Sequence, residues 1–142
     1  MNKRVAAVLL TAVIMLAVIF FFLWQREQPK PSELEQLCQT SASAALDRFR
    51  QYNTSREEPL YWYGVAEFRS FMNAYLYLND NISNPDYLYC NAVYGQMVLH
   101  PEAVTENLDG LIDALEYLAM DYTDPNGYHL MCILQNELMH GG

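Results

Sequence analysis

One uncharged segment constrains this chain more than any other feature. The twenty residues from Val5 to Trp24 contain no charge and one polar side chain, Thr11. As an α-helix, this segment would span about 30 Å, the thickness of the hydrocarbon core of a bilayer. A secretory signal peptide has a shorter apolar stretch and a small-residue cleavage site close behind it, whereas here Gln25 and Arg26 follow. The sequence therefore predicts an uncleaved signal anchor that crosses the membrane once.

The anchor divides the chain into four predicted parts. These are a short N-terminal tail (residues 1–4), the transmembrane anchor (5–24), a stalk with two prolines (25–31) and an acidic helical domain (32–142). Lys3 and Arg4 favour a cytoplasmic N-terminus, although two basic residues also follow the anchor. Because the leading tail is so short, we expect the C-terminal domain to lie outside the cytoplasm.

The charge balance after the anchor is strongly acidic. The 118 residues that follow Trp24 carry six lysines and arginines against 17 acidic residues, a net charge of −11. Beyond Arg69 there is no lysine or arginine, against ten acidic residues. Such a surface repels phosphate groups, so nucleic acid is excluded as a partner, and the domain is expected to stand away from anionic lipid headgroups.

Apolar periodicity after the stalk predicts an all-α domain, a small bundle of four to five helices. A serine followed three residues later by glutamate is the capping-box pattern, and it predicts helix starts at Ser32 and Ser55. The second helix, which runs to about Leu78, is apolar nearly all round and is therefore expected at the centre of the bundle. Asn84 followed by Pro85 predicts the start of the third helix.

The fourth predicted helix has the clearest pattern. Its apolar residues alternate at spacings of four and three, which is typical of helices in a bundle. The residues of this stripe are Val104, Leu108, Leu111, Leu115, Leu118 and Tyr122. A turn at Asp124–Gly127 is expected to separate this helix from a fifth one.

Five carboxylates follow the same spacing on the opposite face of the fourth predicted helix. This acidic stripe consists of Glu102, Glu106, Asp109, Asp113 and Glu116. Exposed helix faces commonly mix bases with acids, because like charges four residues apart repel by about 0.2–0.5 kcal/mol per pair. With no base on this helix, the stripe is a candidate docking face for a basic protein or a divalent cation. A solvated outer face is the simpler interpretation.

Tyrosines and cysteines supply the remaining candidates. An aromatic patch for a protein or glycan partner is one interpretation of Tyr61, Tyr63, Tyr87 and Tyr89, and half-buried packing is the other. If the domain is extracytoplasmic, two of the three cysteines could pair in a disulfide, but small buried hydrophobic residues are equally consistent with the sequence. These cysteines are Cys38, Cys90 and Cys132.

Catalytic and metal-binding motifs are missing from the sequence. No lysine follows Lys30, which excludes a phosphate-binding loop or a Schiff-base lysine in the domain. Asp124 and Asn126 match parts of a calcium loop, but Tyr122 and Ile133 occupy two positions that need ligands. We therefore expect no cofactor and no enzyme activity. The sequence favours a membrane-anchored accessory protein of a cell-envelope assembly, and the alternative is a membrane-tethered sensor or enzyme with an aromatic-lined pocket.

Overall fold

The computed structural model describes residues 3–27 and 31–140, without the side chains of residues 3–10, 25–27 and 31. This part of the chain is helical throughout, with short turns between helices and no strand, so the all-α prediction is confirmed. The helices are α1 (Lys3–Glu27), α2 (Pro31–Ser55), α3 (Glu58–Asn79), α4 (Pro85–Leu99), α5 (Pro101–Glu106), α6 (Leu108–Met120) and α7 (Pro125–His140). The chain divides into two units, Met1–Lys30 and Pro31–Gly142.

The first unit contains the single helix α1, 25 residues long. Helix covers both ends of the predicted stalk, and residues 28–30 between them lie outside the described residues. Large apolar side chains of α1 are exposed from Val13 to Trp24. Within the described part of the chain, no helix has the length and apolar character needed to cross a membrane.

In the second unit, five helices form a closed ring around one core. Helix α2 packs against α3 and α6, α6 packs against α7, α7 against α4, and α4 against α3. The short helix α5 joins α4 to α6. The core is apolar, and its largest fully buried side chains are Phe49, Phe68, Phe71, Met97, Leu111, Leu115, Leu118, Met131 and Leu134.

The expectation that the second predicted helix is central is wrong. This helix is α3, which forms one wall of the ring and leaves Trp62, Tyr63 and Tyr77 exposed. Tyrosine and tryptophan rings tolerate a half-wet position because each carries a polar atom. An apolar composition in α3 therefore does not require a helix surrounded on all sides.

Both predicted capping boxes lie at the wrong position, whereas the predicted Asn84 cap is confirmed. Helix α2 already includes Ser32, and it continues through Ser55 to a left-handed Arg56 (φ 58°). The cap of α3 is Glu57, whose side chain makes no capping hydrogen bond. At α4, the Asp86 backbone N–H donates to Asn84 Oδ1 at 2.9 Å.

The fourth predicted helix is two helices, because the chain breaks at Asn107 (φ −111°, ψ 24°). The Asn107 side-chain amide donates to the Ala103 carbonyl oxygen at 2.9 Å. Asparagine competes in this way with the backbone for its own hydrogen bonds, which disfavours a continuous helix. The break leaves the apolar stripe intact, since Val104, Leu108 and Leu111 are all buried.

The turn predicted at Asp124–Gly127 is instead the beginning of α7, which starts at Pro125. The Asn126 backbone N–H donates to Asp124 Oδ1 at 2.8 Å, in the manner of a helix cap. Proline is suited to the first helical position because the N–H it lacks would have no partner there. The turn itself lies just before, at Asp121–Asp124.

Two glycines allow neighbouring helices to approach closely. A Cβ atom at Gly64 of α3 would lie 2.9 Å from the ring of Phe49 on α2. At Gly127 of α7 it would lie 2.6 Å from the Leu118 side chain of α6. Both distances are too short for real carbon contacts, so glycine sets the separation of two neighbouring pairs in the ring.

Candidate functional site

A polar pocket of about 490 Å³ lies at the end of the ring where α2, α4 and α7 begin and where α3 and α6 end. We call it the end pocket. It is lined by Glu35, Tyr75, Leu78, Asn79, Asn84, Asp86, Tyr122, Thr123 and Tyr128. Five separate segments therefore contribute to one cavity, which has the size of a small-molecule site.

Tyr75 is the centre of a hydrogen-bond network in the end pocket. Its hydroxyl donates to Asp86 Oδ2 at 3.4 Å and accepts from Asn84 Nδ2 at 3.3 Å. Asn84 and Asp86 are held in place because they form the cap and first turn of α4. The side-chain amide of Asn79 donates to the Tyr75 carbonyl oxygen at 2.8 Å, which completes the last turn of α3.

A second tyrosine packs against the first. The rings of Tyr75 and Tyr128 lie 5.3 Å apart, and the Tyr128 hydroxyl donates to the Tyr122 carbonyl oxygen at 2.5 Å. Burial, together with the nearby Asp86 carboxylate, raises the pKa of Tyr75 to about 12. Burial also raises the pKa of Tyr128. Both phenols are therefore neutral at physiological pH and keep their hydroxyl protons.

The end pocket has acidic groups and no basic ones. Its two carboxylates are Glu35 and Asp86, and no lysine, arginine or histidine lines it. Tyr122 has a raised pKa, mainly through burial and then through the negative charge of Glu35. Among the described residues, no three histidine, cysteine, aspartate or glutamate side chains are grouped to hold a metal ion. The pocket can attract a cation without offering the ligand set of a metal site.

The acidic stripe is divided between two helices by the break at Asn107. Glu102 and Glu106 lie on α5, whereas Asp109, Asp113 and Glu116 lie on α6. All of them are exposed except Glu116, which is partly buried.

The expectation that no base compensates the stripe is wrong. Arg50 of α2 forms an ion pair with Glu116, with 2.5 Å between Nη2 and Oε1. Asn53 of α2 donates its side-chain amide to Asp109 Oδ1 at 3.3 Å. These partners come from a neighbouring helix, so the helix that carries the stripe gives no sequence signal for them. Glu102, Glu106 and Asp113 remain as its open carboxylates.

The four tyrosines of the aromatic patch do not form one surface. Tyr61 is buried in the core and donates its hydroxyl to the Met97 carbonyl oxygen at 3.0 Å. Tyr63 points outward, with Arg48 over its ring at 5.8 Å. Two residues turn an α-helix by about 200°, so these two side chains lie on opposite faces. Tyr87 and Tyr89 are half-buried on α4.

All three cysteines are free thiols. Cys38 and Cys90 are buried, and Cys132 is half-buried. Burial raises the pKa of Cys38 to about 12, and it raises the pKa of Cys90 as well. The structure thus favours the interpretation of Cys38 and Cys90 as small core residues.

No protein-family model, curated protein or solved structure matches this chain. Its function must therefore be inferred from the geometry and charge described above.

Proposed function

We propose that this chain is a membrane-anchored binding protein. Residues 5–24 hold it in a bilayer, and its helical domain, on the extracytoplasmic side, serves as an accessory or scaffolding component of an envelope assembly. The domain binds a protein partner that carries basic groups.

The anchor is supported by the uncharged sequence of residues 5–24 and by the surface of α1. From Val13 to Trp24 its large apolar side chains are about half to three-quarters exposed, with Phe20 at 73%. A continuous apolar surface of this kind is unfavourable in water and is typical of contact with lipid or another protein. Because no helix among the described residues meets the requirements for crossing a membrane, the anchor needs the direct test given in the Discussion.

One observation carries the binding role: open carboxylates on α5 and α6 in a domain of high negative charge. Glu102, Glu106 and Asp113 are exposed and have no cationic partner among the ion pairs of the described residues. Such groups attract a basic surface over a distance and speed its encounter with the domain. The attraction must weaken as salt rises, because the Debye length falls from about 10 Å at 0.1 M to about 3 Å at 1 M salt.

The test removes charge from the stripe and leaves the fold unchanged. The variant combines Glu106→Gln, Asp109→Asn and Asp113→Asn. A matched control removes three charges elsewhere, at Asp47, Glu67 and Glu137. Tagged full-length protein is extracted from its native membranes, and its co-purified partners are quantified at low and high salt.

We expect the stripe variant to lose partners that the wild type and the control variant retain at low salt. We also expect capture by the wild type to fall as salt rises. If the stripe variant captures the same partners with the same salt dependence, the stripe is only a solvated surface and the binding role is wrong.

A second candidate function, a membrane-tethered sensor, is favoured by the end pocket. The pocket is placed between ends of α3, α4 and α7, so a molecule bound there contacts three helices of the ring at once. Such a ligand would bias the packing of these helix ends.

A further inference from the structure

The end pocket combines features that select a particular class of ligand. Its two carboxylates come from different helices, Glu35 from α2 and Asp86 from α4. Asp86 is half-buried and already accepts a hydrogen bond from Tyr75. No positive side chain lines the cavity to neutralise either carboxylate. A ligand that supplies positive charge would remove this imbalance.

Metal ions and anions fit this lining poorly. Hard divalent cations require about six oxygen ligands at fixed distances, and the described residues offer no group of three acidic, histidine or cysteine side chains for a metal. An anion would be repelled by both carboxylates. An organic cation needs fewer fixed ligands, because its charge is spread over hydrogen-bond donors attached to a carbon chain.

We infer that the end pocket binds a primary alkylammonium group, with the ammonium between the carboxylates of Glu35 and Asp86. An ammonium group has three donors and no acceptor, which suits a site of carboxylate and carbonyl oxygens. Its alkyl chain can lie along Leu78 and the ring of Tyr122, which also line the cavity. Aromatic faces additionally attract cations.

The tyrosines keep the site selective for a cation. Their hydroxyl protons are already used inside the pocket, by Asp86 for Tyr75 and by the Tyr122 carbonyl for Tyr128. They are therefore poor donors toward an incoming anion or neutral sugar.

This inference gives the second candidate function its ligand and rests on that candidate alone. It is independent of the acidic stripe, none of whose residues lines the end pocket. The same ammonium chemistry occurs in free polyamines and in the lysine side chains of proteins, and the two sources require separate probes.

The experiment titrates full-length protein in non-ionic detergent with three probes and follows binding by NMR chemical shifts of the probe and protein. Putrescine represents free polyamines, and N-acetyl-lysine methylamide represents a lysine side chain. Butane-1,4-diol has the carbon chain of putrescine without its charge. We expect at least one of the two amines to bind and the diol not to bind.

Charge-removing variants locate the binding site. Because hydrogen bonds to charged groups are the stronger ones, we expect Glu35→Gln and Asp86→Asn each to weaken amine binding by about tenfold. Asp113→Asn removes the same charge from the far surface of α6 and should leave binding within about twofold of wild type. Glu35 is exposed, so its variant remains informative even if Asp86→Asn disturbs the first turn of α4.

The outcomes are distinct. Binding of putrescine alone assigns a free amine to the pocket, and binding of the lysine probe alone assigns a protein side chain. The inference is overturned if neither amine binds, if the diol binds equally well, or if Glu35→Gln and Asp113→Asn have the same effect. The stripe triple variant should bind the amine like the wild type, so failure here is separable from failure of the partner-binding role.

Discussion

Glycine side chains, or their absence, determine how closely two helix pairs of the ring approach. At Gly64 and Gly127 an added methyl group would overlap Phe49 and Leu118, whereas at Gly95 of α4 nothing lies within 4 Å of the added atom. The three positions are all helical, so the backbone preference for alanine over glycine is the same in kind. They differ only in the space available.

We therefore expect Gly64→Ala and Gly127→Ala to lower the free energy of unfolding by about 1–3 kcal/mol through overpacking. Gly95→Ala should raise it by up to about 1 kcal/mol, because alanine favours the helix. Chemical denaturation of the three variants measures these changes. A loss of stability at Gly95 similar to that at Gly64 would contradict the close-approach explanation.

Buried ionisable groups set the response to alkaline pH. The pKa of Cys38 is raised from 9.0 to about 12, and that of Tyr75 from 10.0 to about 12, both mainly by burial. The folded state thus favours the protonated, neutral forms. The corresponding stability is complete below pH 9 and is lost as the pH rises toward 12.

A thermal melt followed by circular dichroism at increasing pH tests this expectation. The unfolding temperature should show no loss from Cys38 or Tyr75 between pH 7 and 9 and should fall above that range. In Cys38→Ala the fall should begin about one pH unit later, because tyrosine then titrates first. An identical alkaline profile for this variant would show that Cys38 contributes nothing to it.

At the scale of the element, α6 carries the central apolar stripe of the domain. Leu111 and Leu115 are fully buried, whereas Met120 at the end of the same helix is 74% exposed. We expect Leu111→Ala or Leu115→Ala to lower the free energy of unfolding by about 2–5 kcal/mol, through lost burial and a residual cavity. Met120→Ala should change it by less than about 0.5 kcal/mol. Urea unfolding of the three variants checks the difference, and equal effects would place the stripe at the surface.

Local patterns predicted the elements well where one helix carried the whole signal. The apolar spacing of Leu108–Leu118 depends only on helix geometry, and the burial it predicts is observed. The cap at Asn84 is equally local, because its side chain bonds a residue two positions away. The break at Asn107 was missed because the apolar spacing continues unchanged across it.

Features that depend on distant residues could not be read from the same patterns. Arg50 and Glu116 are 66 positions apart, and their ion pair exists only because α2 and α6 are neighbours. The end pocket likewise joins Glu35 to Asp86 and Tyr128, which share no motif. Its only local signal was the Asn84–Asp86 segment, which the sequence identified as a helix cap.

At the scale of the whole molecule, the proposed anchor predicts that the N-terminus is retained. Intact mass spectrometry of the protein extracted from membranes should include Lys3 and Arg4. The chain should also remain in the membrane fraction after a carbonate or high-salt wash, because about twenty apolar residues in lipid resist both. Replacing Ile14 and Ile19 with lysine should release it, since each charge at the centre of a bilayer costs about 2.5–3.5 kcal/mol.

A soluble species that begins after Trp24 would overturn the anchor and leave the helical domain as a secreted protein. Retention of the double-lysine variant in washed membranes would point to attachment through the domain instead.

The closed ring also has a consequence for the order in which the protein is made. Helix α7 fills the gap between α4 and α6, and it follows both of them along the chain. While a ribosome is still translating α7, the sides of α4 and α6 that will face it have nothing to cover them. Such a nascent intermediate exposes apolar surface and is prone to aggregate or to engage chaperones. The domain can complete its core only once its last helix has been released.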